Sequence, residues 1–170
     1  MSSVRSVFSL LLTTAFLLTG HGIHMTFLPL MASEIGLSQT VIGISGSAYF
    51  AGFISGALVT PHIIAKVGHI RGFTTLMAVF LCCFQILPMT DSGAIWILIR
   101  FLLGAVMCGA YTVVESWLSD QADSRTHGRV LAIYTVVVLG AMALGQGLLN
   151  LTYGEAAKVF ALISIMIGCA

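Results

Sequence analysis

Residues 94–118 read AIWILIRFLLGAVMCGAYTVVESWL, with Arg100 and Glu115 as the charges of an otherwise apolar or small run. About 20 such residues carry a helix across hydrocarbon at ~1.5 Å per residue. A transmembrane β-strand would alternate instead, so a barrel reading fails. Similar stretches lie to both sides. The expected spans are 7–31, 41–65, 73–89, 94–118 and 130–151, with a sixth from 157 that reaches Ala170. This sixth stretch is short for a span. The sixth helix is therefore expected to be incomplete, and the chain to be truncated or the front part of a longer protein.

Composition points the same way. With 58% apolar and 8% charged residues, the chain cannot clothe a soluble domain of its size. The expected fold is an all-α membrane protein, a polytopic helical bundle. Val7 to Leu18, after Arg5, could pass for a signal peptide, but the apolar run continues and no small-residue cleavage site closes it. Arg5, Lys66, Arg71, Arg125 and Arg129 fall on one side of the expected spans, and Lys158 falls on the other with Glu34, Asp91 and Glu155. That asymmetry predicts a cytoplasmic N-terminus in a plasma membrane. No basic patch extends beyond these short connections, which argues against nucleic acid as a partner. Cys82, Cys83, Cys108 and Cys169 lie inside expected spans without metal-type spacing, as small apolar filler. No P-loop, catalytic triad, metal cluster or cofactor motif occurs, so neither an enzyme nor a resident cofactor is expected.

Helical phase singles out one face of the fourth span. Arg100, Gly104, Cys108, Tyr111 and Glu115 recur at steps of four, four, three and four. A charge at the centre of a membrane helix costs about 2.5–3.5 kcal/mol, so such a stripe turns toward protein or water. The alternative is that Arg100 and Glu115 snorkel toward opposite ends. They lie about 22 Å apart along the axis and cannot pair with each other. His21 and His24 stand one turn apart in the first span, beside Gly20 and Gly22. They read as a proton or substrate contact lining a cavity, or as a neutral hydrogen-bonded pair within the bundle. Haem or quinone ligation would need a facing histidine on another span, whereas His62, His69 and His127 belong to the inner connections. Gly104 is joined as a packing residue by two small-residue ladders: Ala48, Gly52 and Gly56 on the second span, Ala141 and Gly145 on the fifth.

Several segments in order carry a further signal. Lys66-Val-Gly68-His69-Ile-Arg71 follows the second span, with Pro61 and Ala65 before it. Arg100-Phe-Leu-Leu-Gly104 precedes Gly109-Ala110, and Leu118-Ser-Asp120 ends that span. Ala141-Met-Ala-Leu-Gly145-Gln146-Gly147 lies on the fifth, and Gly36-Leu-Ser38, Val41-Ile-Gly43 and Tyr49 open the second. Over essentially the whole chain this series resembles the N-terminal six-helix half of the major facilitator superfamily. Lys66, Gly68 and Arg71 fit its signature between the second and third helices. Pro61 stands where its first glycine is usual, and Ala65 where its acid is usual. Arg100 and Gly104 fit its RxxxG signature, and Gln146 replaces the proline of its fifth-helix exporter motif. Val113-Val-Glu115-Ser116, with the run near Gly140, is similar to the YcaD-type members of the superfamily.

The resemblance implies a 3+3 inverted repeat in which the first helix corresponds to the fourth. It also implies a bacterial inner-membrane secondary transporter that moves a small solute by alternating access, driven by an ion gradient, for which His21 and His24 point to protons. Its partners would be the lipid bilayer, a small-molecule substrate and a C-terminal six-helix half, in the same longer chain or a second copy. Helices two and five would face that half. His21, His24, Arg100, Tyr111 and Glu115 are the cavity candidates. Lys66, Gly68, His69, Arg71 and Asp120 are the inner-latch candidates. The competing classes are a non-transporting redox anchor holding haem or quinone and a multimeric channel-like pore.

Overall fold

The computed structural model describes residues 2–121, 127–152 and 154–170, with side chains for 6–121, 127–150 and 154–170. Arg125 and the side chain of Arg5, both part of the basic asymmetry, lie outside the described residues. Among the described residues the chain forms six α-helices and no strand: α1 Ser2–Glu34, α2 Gln39–Val67, α3 His69–Ile86, α4 Gly93–Gln121, α5 His127–Thr152 and α6 Ala156–Gly168. α1 to α5 are long and apolar enough to cross a membrane, α3 together with the 3₁₀ turn Leu87–Met89 that extends it.

The helices overrun their apolar stretches, because a helix continues until its end groups find partners or a residue cannot follow it. α1 runs through Pro29 to Glu34 and closes at Gly36, whose φ of 83° suits a residue without Cβ. There the Leu37 N–H donates to the Ala32 carbonyl at 3.0 Å. Ser38 Oγ then accepts from the Val41 N–H at 3.3 Å and opens α2. The connection expected at 66–72 contracts to Gly68 alone. At φ 82° its N–H donates to the Ile64 carbonyl at 2.8 Å, and its own carbonyl accepts from the Gly72 N–H at 3.0 Å. Lys66 and Arg71 are thus helical residues on either side of a one-residue joint. The third helix starts four residues earlier than its apolar stretch and gives way to the 3₁₀ turn around Pro88, which has no N–H to donate.

By compactness the chain divides into two units, one of residues 1–28 and 116–170 and one of 29–115. Most of α1 therefore groups with α5 and α6, while most of α4 groups with α2 and α3. The consecutive triplets have exchanged their first helices.

Both units use the same packing device, in which a glycine lets one backbone rest on another. In the second unit Gly104 of α4 lies against the Tyr49 carbonyl and the Phe53 amide of α2. Gly52 of α2 lies against the Phe101 carbonyl and the Ala105 amide of α4, and Gly56 against the Ala105 carbonyl. In the first unit Gly145 of α5 lies against the Thr19 carbonyl and the Ile23 amide of α1, while Gly22 lies against the backbone of Met142. Without a hydrophobic force between helices in lipid, close backbone approach is what supplies dispersion contact. The small ladders of α2 and α5 are consumed inside their own units, rather than held open for a second half. The buried face of α2 runs Ser45, Tyr49, Gly52, Gly56, Thr60 and Ile64, with Ala48 half-buried beside it.

Candidate functional site

In the first unit, His21 and His24 lie within about 6 Å, along the axis, of the midpoint of the span Ser6–Glu34. His24 is fully buried and His21 is 5% exposed. Their rings stack at 5.7 Å between centroids, inclined by 28°. Gly20 and Gly22 explain how α1 presents them so deep. Gly20 admits Met166 and Ile167 of α6, and Gly22 admits Met142 of α5. The two buried threonines of this helix are not competing polar sites. Thr14 Oγ1 donates to the Leu10 carbonyl at 2.8 Å and Thr19 Oγ1 to the Ala15 carbonyl at 2.7 Å, so each hydroxyl is spent on its own backbone.

The second unit holds the α4 stripe. Arg100 is 3% exposed, and its guanidinium carbon sits 4.7 Å from the centroid of the Tyr49 ring of α2. A guanidinium over a ring face in a dry setting is worth about 2 kcal/mol, and Arg suits this better than Lys because its planar group is weakly hydrated. From there aromatic rings continue along the interface of the two helices. Tyr49 and Phe53 stand 6.4 Å apart, and Phe53 meets Tyr111 edge-on at 6.1 Å. Gly104, between Arg100 and Tyr111 on the same face, is one of the points where the two backbones touch. Cys108 is buried, Tyr111 is half-buried and Glu115 is exposed. The stripe thus faces α2 over most of its length and emerges at Glu115.

The latch candidates sit at helix ends. Lys66, Gly68 and Arg71 are exposed at the α2–α3 joint of the second unit, and His69 is half-buried there. Asp120 is exposed on the last turn of α4, in the first unit.

Tyr49 and Phe53 are the residues that the sequence reading passed over as chemistry. A signal existed: Tyr49 falls in phase with Ser45, Gly52 and Gly56, so an aromatic hydroxyl-bearing side chain shares the face of a small-residue ladder.

A sequence profile of the Major Facilitator Superfamily matches residues 10–170. The chain is 30% identical over 151 residues to the uncharacterized MFS-type transporter YcaD of Escherichia coli O9:H4 (strain HS), covering 88% of this chain and 40% of that protein. The YcaD of Escherichia coli (strain K12) matches with the same identity and coverage. The chain therefore spans about 40% of the length of the curated relatives it matches. No solved structure matches.

Proposed function

Because the chain belongs to the major facilitator superfamily, we propose that it is the N-terminal part of a secondary transporter that moves a small solute by alternating access, coupled to protons. It is a multi-pass membrane protein, and its superfamily is one of transporters rather than enzymes. The observation that carries the reading is the burial of ionisable side chains at membrane depth on the first and fourth helices: His21 and His24 on α1, Arg100 on α4. Such residues are costly in a bilayer and mark substrate or ion pathways. Polar groups at matching positions of a repeated helix set are the sequence pointer to a transport site. His21 and His24 form the proton site in this reading. Two charges 5.7 Å apart repel by about 3 kcal/mol at an effective dielectric of 20, which disfavours charging both rings together. Arg100, Tyr111 and Glu115 belong to the substrate path, and Lys66, Gly68, His69, Arg71 and Asp120 to an inner gate. The membrane is the bacterial inner membrane with the N-terminus in the cytoplasm, on the basic-residue asymmetry.

The test is a current measurement on proteoliposomes of the full-length protein, with solutes presented in pools under an imposed pH gradient. A pool that drives a proton-coupled current in the wild type, lost in Arg100→Gln, is the expected result. Solute flux that ignores the pH gradient overturns the coupling, and flux unchanged in Arg100→Gln overturns the site.

A further inference from the structure

One end of the second unit carries two exposed cations close together in sequence. Lys66, in the last turn of α2, and Arg71, in the first turn of α3, are both exposed and form no ion pair among the described residues. No Asp or Glu occurs anywhere between Glu34 and Asp91, so α2 and α3 have no acid of their own to offer. A Cβ at Gly72 would stand in ordinary contact with the Val67 and Ile64 side chains, so the first turn of α3 lies beside the last turn of α2. The two cations therefore flank one compact corner. The same corner exposes Ile63, Val67 and Ile70, at 42%, 42% and 66%. Exposed His62, with Nδ1 3.1 Å from the Leu58 carbonyl, lies one turn before Lys66.

We propose that the α2–α3 joint is a docking site for the headgroup of an anionic phospholipid. Charge complementarity and depth select that occupant. The joint lies where two candidate spans, Gln39–Val67 and His69–Met89, both end, so its cations fall in the interfacial layer where lipid phosphates lie. The exposed isoleucines and valine beside them fit acyl chain, which a free phosphate ion does not possess. The same cations belong to the proposed inner gate, so the charge of the surrounding leaflet biases that gate.

The experiment is native mass spectrometry of the full-length protein in mild detergent with equal phosphatidylglycerol and phosphatidylcholine. A basic residue near an anionic lipid surface strengthens attachment about fivefold. Two should therefore favour phosphatidylglycerol on the order of twentyfold. The double variant Lys66→Gln, Arg71→Gln should retain the two lipids equally. Lys158→Gln should keep the preference, because the Lys158 ammonium is held by Glu155 at 2.8 Å. Inorganic phosphate should not displace the bound lipid. Equal retention by the wild type, or a preference that survives the double variant, overturns the proposal; so does displacement by phosphate, which would mark a free-anion site. Should the double variant fail to fold, the exchange Lys66→Arg, Arg71→Lys must keep the preference, and raised salt must abolish it in the wild type; failure of either overturns it too. The readout involves no transport, so its failure leaves the proposed function standing.

Discussion

At the scale of single residues, Arg100 and the two histidines are the groups whose burial needs an explanation. Arg100 lies at depth with its guanidinium carbon 4.7 Å from the centroid of the Tyr49 ring, a contact that favours a buried cation. Tyr49→Leu should lower stability by about 1–2 kcal/mol, seen as a reduced unfolding midpoint in detergent, while Tyr49→Phe keeps the ring face and most of that stability. Arg100→Lys should lose activity almost as Arg100→Gln does, because an ammonium is too strongly hydrated to lie in the same dry place. His21 and His24 make a different prediction. If their stacked pair carries the coupled proton, His21→Gln with His24→Gln should flatten the pH dependence of transport between about pH 5 and 8. Membrane expression should be unchanged. An unaltered pH profile in the double variant would reduce the histidines to packing residues.

At the scale of elements, the helix crossings are set by glycines that share one local geometry. Gly52, Gly104 and Gly145 each face a carbonyl and the amide four residues further along the opposing helix. An alanine methyl has no room there and must push two backbones apart. Gly104→Ala and Gly145→Ala should each lower the thermal midpoint by several degrees, as overpacking costs about 1–3 kcal/mol. Gly43 and Gly46 have open space around them, so alanine should be neutral there, or stabilising by up to about 1 kcal/mol through helix propensity. Equal losses at all four sites would show that the crossings do not depend on these contacts. Gly68 is costly to replace for a separate reason, since φ 82° strains any residue with a Cβ.

At the scale of the whole molecule, the predictions concern sidedness and the two transport states. In a background lacking native cysteines, an impermeant thiol reagent outside the cell should label cysteines placed at 36 and 92 but not at 68 and 128. The reverse pattern would invert the proposed topology. Asp120→Asn should raise the reactivity of cavity cysteines toward a reagent on the inner side, by about fivefold for the loss of ~1 kcal/mol of gate stabilisation. Unchanged reactivity together with unchanged transport would leave Asp120 a solvated helix end.

The one-dimensional constraints of the membrane were legible from residues alone. Hydrocarbon admits only backbone that satisfies its own hydrogen bonds, so each solid apolar stretch had to be a helix, and its position could be read from composition. Phase along 94–118 likewise assigned Arg100, Gly104 and Tyr111 to one face before any partner was known, and the small residues of α2 and α5 announced close contacts. What they could not announce is which helix each would touch. In lipid every apolar face resembles every other, and partner choice depends on shape fit between backbones far apart in sequence. Only the tertiary structure therefore joined Gly145 to Thr19 and Gly104 to Tyr49, exchanged α1 and α4 between the two helix sets, and placed the Tyr49 ring under Arg100. It also reduced the connection after α2 to Gly68, because hydropathy sees where apolar character ends, whereas a helix ends where its hydrogen bonds do.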